Sequence, residues 1–279
     1  MEFHAQCTLR YQVRERSTFI MNVAAANAAN QRVIDDSFTV EPAVPVDEHV
    51  TPELGNHYHR FVAPPGALTV RYEARAAVSY TLADPATIGG TPPDRLPLGS
   101  VPYIVPSRYC QSDQLMRLAF REFGRVPQGH RQVQAICDWI HANVDYIAGT
   151  TGTLTTALDT ATQRAGVCRD FAHLGVAFCR ALNVPARFVS GYSHDLDPPD
   201  FHALFEAWLN GAWHLFDPSK RISRPGFVRI GTGRDAADVP FALIIGAASM
   251  RDMTVRCTFT GAGADGQEPG PTDQAVTIA

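Results

Sequence analysis

Strict alternation of apolar and polar residues constrains the fold of this chain more than any other feature of its sequence. Between residues 3 and 13 the odd positions are apolar and the even positions are polar, and a period of two returns over 68–82. Such a period predicts strands with one buried and one solvent-exposed face. Shorter β-like runs, bounded by proline and glycine, lie at 18–23, 37–40 and 57–62. Residues 1–82 therefore predict an antiparallel β-sandwich or sheet.

The periodicity changes after a proline- and glycine-rich connection over 83–107. Apolar residues at i, i+3 and i+4 predict amphipathic helices over 112–124 and 130–144. A third helix, predicted from Val167 to Leu182, is apolar on most sides and is expected at the centre of its domain. Predicted strands follow at 186–192, 201–209 and 212–217.

These patterns indicate an α+β fold with two domains. The expected organisation is an N-terminal antiparallel β-sandwich-like domain over 1–100, including its connection, and a second domain over 101–260 in which a central helix packs on an antiparallel sheet. The last segment, 261–279, is rich in glycine and polar residues and is expected to form a disordered tail.

Charge and composition exclude several classes of partner. The 279 residues carry a formal net charge of −4, without a run of basic residues, so neither nucleic acid nor an anionic membrane is an expected partner. No apolar stretch approaches the ~20 residues that span a bilayer, and the N-terminus does not resemble a secretory signal. The six cysteines form no CxxC pair, which indicates free thiols in the cytoplasm.

The dipeptide Asn210-Gly211 between two β-like runs predicts a tight hairpin. In the register that this turn imposes, Asp217 faces Leu204, and His202 lies two residues from Leu204 on the same face. His202 and Asp217 are then diagonal neighbours, with backbones roughly 7–8 Å apart. A carboxylate that binds one imidazole nitrogen orients the ring and leaves the other nitrogen free to act as a base.

Cys168 is predicted at the first turn of the third helix, directly after Gly166-Val167. The helix dipole and the unpaired backbone N–H groups at that position favour a thiolate, and the N–H of Cys168 could stabilise an oxyanion. The alternative is a buried structural thiol, since free cysteine is among the most buried residue types. The His202–Asp217 pair favours the nucleophile. Asp170 is interpreted as a helix-capping residue rather than a catalytic one.

Taken together, these residues make the chain similar to the bacterial transglutaminase-like proteins. The resemblance rests on the segments GVCRDFA (166–172), NVPARFVSGY (183–192), HA (202–203), EAW (206–208) and FDPS (216–219), and it spans most of residues 1–257. It implies a papain-like core in which Cys168 matches the nucleophile, His202 the general base and acid, and Asp217 the orienting carboxylate. The implied reaction is attack on a peptide or carboxamide carbonyl to form a thioester acyl-enzyme. No cofactor or metal is expected.

The sequence leaves several alternatives open. Hydrolysis is favoured over transfer of the acyl group to an amine. The alternative to an enzyme is a non-catalytic peptide-binding module on the same fold. Leu204 stands where many members carry tryptophan, which makes the shape of the substrate pocket uncertain. The second oxyanion donor is unassigned, with Gln163 as a candidate.

The role of the β domain is equally open, since it is expected either to shape the cleft or to mediate homo-oligomerisation. Three of its histidines, His49, His57 and His59, suggest a metal, because His57 and His59 share one face of a predicted strand. They have no acidic or cysteine partner at the usual spacing of metal ligands, and are therefore interpreted as surface residues.

Overall fold

The computed structural model describes residues 1–261 and 268–278. Its strands in the first part of the chain are β1 (Glu2–Val13), β2 (Ser17–Met21), β3 (Gln31–Glu41), β4 (Val46–Val50), β5 (His57–Ala63), β6 (Gly66–Val78) and β7 (Thr81–Ala83). Short 3₁₀ turns occupy the connection that follows, at Pro85–Thr87, Pro93–Arg95 and Leu98–Tyr103.

The rest of the described chain contains four α-helices and nine strands. The helices are α1 (Ser112–Phe123), α2 (His130–Asn143), α3 (Ala157–Gln163) and α4 (Cys168–Ala181). The strands are β8 (Asp145–Tyr146), β9 (Ala165–Gly166), β10 (Ala186–Ser193), β11 (Phe201–Leu209), β12 (Ala212–Phe216), β13 (Phe227–Gly233), β14 (Ala242–Ile245), β15 (Ala248–Phe259) and β16 (Ala275–Thr277). A further 3₁₀ turn spans Arg224–Gly226.

Two four-stranded antiparallel sheets form a sandwich, with strand orders β15-β1-β6-β3 and β14-β2-β5-β4. The alternation over 3–13 and 68–78 produces this arrangement directly, because inward positions such as Leu9 and Val70 oppose one another and are almost fully buried. The predicted N-terminal β-sandwich is confirmed. The second long strand ends at Val78, however, and 81–83 pair in a different sheet.

The sandwich also contains strands from the far end of the chain. β15 pairs with β1 along nearly its whole length, with Ala5 opposite Cys257 and Cys7 opposite Val255, and β14 pairs with β2. The expected boundary assigned residues up to 260 to the second domain, whereas the structure places 242–259 in the first. The first half of β15 shows no clear alternation of apolar and polar residues, so its pairing with β1 could not be predicted from the sequence.

The second unit is built around helix α4, which packs against a six-stranded sheet of order β13-β10-β11-β12-β16-β7. Twelve of the 14 residues of α4 are buried, in agreement with the predicted central helix. Gly175 allows the close approach of helix and sheet, since a Cβ at that position would lie 2.5 Å from Cε1 of Phe205. The α+β class is confirmed. Among the residues described, no helix has the length and apolar character that crossing a membrane requires.

The hairpin of β11 and β12 has the predicted turn and register. Asn210 and Gly211 adopt φ angles of 48° and 86°, and Leu209 opposes Ala212 while Phe205 opposes Phe216. Positive φ at both central residues matches the twist of the flanking strands, which is why Asn-Gly selects this turn. The register continues toward Asp217, directly after β12.

The expectation of a disordered tail over 261–279 is wrong for the residues that form β16. Val276 pairs with Leu215 on one side and Leu82 on the other, and Val276 and Ile278 are buried. A strand of three residues is too short to show a period, and its stability comes from burial in the central sheet. Residues 262–267 and 279, which the same expectation covers, lie outside the described residues.

Candidate active site

Cys168 is the first residue of α4, as predicted. The two-residue strand β9 leads into the helix, and a Cβ at Gly166 would lie 2.8 Å from Cβ of Asp170, so glycine is needed for this approach. Asp170 caps the helix, because its Oδ2 accepts hydrogen bonds from the backbone N–H of Val167 (2.9 Å) and from Oγ1 of Thr151 (2.6 Å). The interpretation of Asp170 as a capping residue is confirmed.

All six cysteines lie in the described ranges, and Cys168 is the one that is partly exposed. The other five are buried, and burial raises the pKa of Cys7 to about 11 and those of Cys110 and Cys257 to about 12. Thiols in such surroundings remain protonated and are inaccessible to reagents. Accessibility therefore separates Cys168 from every other thiol of the chain.

His202 and Asp217 meet as the hairpin register predicts. Nε2 of His202 lies 3.3 Å from Oδ2 of Asp217, and both side chains are buried. The carboxylate is held on its other sides by Ser219, whose backbone N–H (2.9 Å) and Oγ (2.6 Å) donate to Oδ1, and by the backbone N–H of Arg221, 3.0 Å from Oδ2. This cradle fixes the orientation of Asp217 and, through it, the ring of His202.

The electrostatics of this pair favour a charged imidazole. Burial acts to lower the pKa of His202, but the carboxylate of Asp217 and the thiol of Cys168 outweigh it and raise the pKa to about 10. Burial acts in the opposite direction on Asp217, whose pKa is nevertheless lowered by His202 and Ser219. At neutral pH the site therefore holds an imidazolium beside a carboxylate.

The structure brings Cys168 to the same imidazole. The thiol interacts with the ring of His202, while Nδ1 of that ring makes no hydrogen bond of ordinary geometry to the described residues. Because Nε2 faces Asp217, Nδ1 is the nitrogen left for the sulfur. The three residues, separated by 34 and 15 positions in the chain, thus meet in one place.

Tyr146 is a member of the site that the sequence patterns did not reveal. Strand β8 pairs with β9 so that Tyr146 is opposite Gly166, and its hydroxyl interacts with both the backbone and the thiol of Cys168. Tyr146 is 37% exposed, and the burial of the rest of the residue, together with the electrostatic effect of Cys168, raises its pKa. Its ring packs under the guanidinium of Arg221, with Cζ 4.6 Å from the ring centroid. A strand of two residues shows no period. The only signal in the sequence was therefore a tyrosine shortly after the end of the predicted second helix.

Two other residues considered from the sequence lie elsewhere. Gln163 is the last residue of α3 and is exposed. Leu204 is completely buried in a cluster that includes Val189, Leu215 and Phe227. The leucine therefore belongs to the packing of the sheet.

A partly exposed cysteine at the start of a central helix, packed on an antiparallel sheet that carries a buried histidine and aspartate, defines a transglutaminase-like core. The comparisons agree: residues 119–218 match the transglutaminase-like superfamily, and residues 1–88 match the bacterial transglutaminase N-terminal domain. A crystal structure from Cytophaga hutchinsonii, described as "a putative cysteine protease", is 40% identical with a TM-score of 0.95, covering 100% of this chain and 98% of that one. The chain belongs to the bacterial transglutaminase-like superfamily.

Mycobacterial relatives are similar over shorter stretches. The uncharacterized protein ML0607 of Mycobacterium leprae is 31% identical over 165 residues, which are 56% of this chain and 59% of that protein. The uncharacterized protein Rv2569c of Mycobacterium tuberculosis is 32% identical over 116 residues, 36% of this chain and 37% of that protein. The chain therefore matches less than two thirds of these relatives. Its family membership supports a cysteine-dependent enzyme.

Proposed function

We propose that the protein is a cysteine-dependent hydrolase, a peptidase or amidase that forms a thioester with a peptide or carboxamide substrate. The observation that carries this proposal is the accessible thiol of Cys168 beside the buried His202–Asp217 pair. An imidazolium next to a thiol at a helix N-terminus favours the thiolate, which is the nucleophilic form.

In the proposed reaction, Sγ of Cys168 attacks the carbonyl carbon and forms the C–S bond. The His202 imidazolium then gives its proton to the leaving nitrogen as the C–N bond breaks, which leaves a thioester and a free amine. Neutral His202 next accepts a proton from water as the water oxygen attacks the thioester. The acid is released with the thiolate and imidazolium restored, and Asp217 orients the ring throughout.

The oxyanion formed in each step needs hydrogen-bond donors. The backbone N–H of Cys168, at the N-terminus of α4, is one of them. We assign the second role to the Tyr146 hydroxyl, because it lies beside Cys168 and its raised pKa keeps it protonated. This assignment replaces the candidate Gln163, which is the last residue of α3.

Tyr146→Phe is expected to lower kcat about 10²- to 10³-fold, the usual effect of removing one oxyanion donor. Alkylation of Cys168 by iodoacetamide forms no oxyanion, so its rate in Tyr146→Phe should stay within a few-fold of the wild-type rate. Tyr103→Phe, at a ring packed edge-on against Trp213, is the matched control and should retain activity. A Tyr146→Phe enzyme with unchanged kcat would show that the hydroxyl does not stabilise the transition state.

The proposed setting is the cytoplasm, where a reducing environment suits six free cysteines. The proposed substrate is a peptide or protein, since the chemistry of the site requires an acyl donor. Homo-oligomerisation through the sandwich stays a prediction.

Alkylation of the native protein tests the activated nucleophile. At pH 6, iodoacetamide is expected to add one equivalent at Cys168, detected by intact-protein mass spectrometry and peptide mapping. His202→Ala should slow this labelling at least tenfold, because the thiolate loses its positive partner. Cys168→Ser should take up no label until the protein is unfolded. A labelling rate like that of free cysteine, without an optimum below pH 8, would contradict the proposal.

A further inference from the structure

Three potential metal ligands converge at the lateral edge of the sandwich, far in sequence from Cys168. Glu48, on the edge strand β4, is paired with His59 on β5, and side chains of directly opposed residues share one face of the sheet. His57 lies two residues from His59 and is on that same face. One ligand atom from each of the three residues lies within 4.8 Å of the others.

The spacing of these atoms is longer than a hydrogen bond but suits an ion between them. Nε2 of His57 is 3.4 Å from Oε2 of Glu48, and Nε2 of His59 is 3.8 Å from Oε1. Normal N–H···O bonds measure about 2.7–3.2 Å. Ligands at about 2.0–2.2 Å around a tetrahedral Zn²⁺ are themselves roughly 3.3 Å apart. The three ligand atoms therefore lie close together without forming hydrogen bonds of ordinary length to one another.

Burial makes the position of His59 unusual. The inward positions of β5 carry Phe61 and Ala63, which belong to the sandwich core, yet the next one holds His59, which is only 2% exposed. Its ring stacks on Phe38 at 4.0 Å, and its Nδ1 has no hydrogen-bond partner among the described residues. The nitrogen that faces Glu48 is Nε2, whose distance to Oε1 is 3.8 Å, so a metal bound there would give this buried ring a strong polar contact. The interpretation of His59 as a surface residue is wrong.

The edge of the sandwich leaves one side of this cluster open. The side chain of Glu48 is 62% exposed and that of His57 is 21% exposed, so an ion can enter and water can complete its coordination. Two imidazoles, which are ligands of borderline hardness, suit Zn²⁺ and related divalent transition metals when combined with one carboxylate, whereas Ca²⁺ and Mg²⁺ prefer oxygen ligands alone.

We propose that Glu48, His57 and His59 form a binding site for a divalent transition-metal ion of the Zn²⁺ class, with solvent as the remaining ligand. The acidic partner that sequence spacing did not supply comes from the neighbouring strand. The site is independent of the proposed hydrolase activity, because it shares no residue with the Cys168 centre.

Spectroscopic titration with Co²⁺ tests this site. The Cys168→Ser background prevents ligation by the reactive thiol. One equivalent of Co²⁺ is expected to bind with visible d–d absorption and without sulfur-to-cobalt charge transfer, and Zn²⁺ should displace it. His57→Ala and Glu48→Gln should each weaken binding at least ~100-fold, since losing even an outer-shell partner costs about 10- to 100-fold in metal affinity.

His49→Ala is the matched control, because His49 follows Glu48 on the same edge strand and faces the opposite side. It should bind Co²⁺ as the parent does. Glu48→Gln alters an exposed side chain and is expected to keep its fold, which circular dichroism will check. Absence of Co²⁺ and Zn²⁺ binding by the parent, or undiminished binding by folded Glu48→Gln and His57→Ala, would overturn the proposal. So would equal loss of binding in His49→Ala.

Discussion

Cys168→Ala is expected to lower hydrolysis of a peptide or amide substrate by about 10⁴-fold or more, the loss seen when the nucleophile of a coupled catalytic group is removed. The physical reason is that no other thiol can replace it, since the remaining cysteines are buried. A library of internally quenched peptides, assayed with the wild type and the variant at equal folded concentration, provides the measurement.

Cys257→Ala is the matched control, because it also removes a thiol but lies in the sandwich, on β15. Its turnover per folded molecule should equal that of the wild type. Equal turnover by the wild type and Cys168→Ala would assign the activity to another residue or to a contaminant. Absence of turnover by the wild type, together with saturable peptide binding, would favour the non-catalytic binding module.

The same acyl-enzyme can react with water or with an amine. A primary amine added to the wild-type assay is expected to leave the rate of donor consumption unchanged if hydrolysis is the physiological reaction. Strong acceleration, with the amine incorporated into the product, would instead identify a transamidase. Mass spectrometry of the products distinguishes the two outcomes.

Glu206→Gln is expected to lower the free energy of unfolding by about 3–5 kcal/mol. Glu206 is fully buried on β11 between two arginines, with Nε of Arg187 2.6 Å from its Oε2 and Arg229 bonded to its Oε1. Neutralising the carboxylate leaves the guanidinium of Arg229, whose side chain is only 6% exposed, without a counter-charge. Urea unfolding at pH 7 gives the measurement.

The pH dependence of the free energy of unfolding provides a second measurement on Glu206 and its two arginines. Burial acts to raise the pKa of Glu206, but Arg187 and Arg229 outweigh it and hold the pKa below the ordinary value of 4.5. The stabilisation is therefore complete above about pH 4.5 and is lost as the pH falls through the lowered pKa. Asp35→Asn, in an exposed pair with Arg75, should change stability little. Equal effects of the two substitutions would show that Glu206 contributes no more than a surface charge.

Much of the fold was predictable because its signals are short-range. The alternation over 3–13 is a property of adjacent residues, and it identified a strand with one buried face. Asn210-Gly211 selected a two-residue turn and thereby the register of the hairpin. That register placed His202 and Asp217 together, so half of the candidate site followed from turn chemistry alone.

Other parts of the molecule had no such signal. β16 has three residues, and β8 has two, so neither shows a period from which pairing could be predicted. Tyr146 reaches Cys168 only because β8 lies beside β9, and Glu48 reaches His59 only because β4 pairs with β5. In both cases the partner comes from a neighbouring strand.

The amino-acid order by itself determined the strand faces, the central helix with its terminal cysteine, and the hairpin that joins histidine to aspartate. Only the tertiary structure decided that the final strands return to both sheets, that a tyrosine completes the surroundings of the thiol, and that a glutamate joins two histidines. The reason is physical. Periodicity and turn conformation act between residues a few positions apart, whereas these contacts depend on the burial of whole sheets and helices against one another.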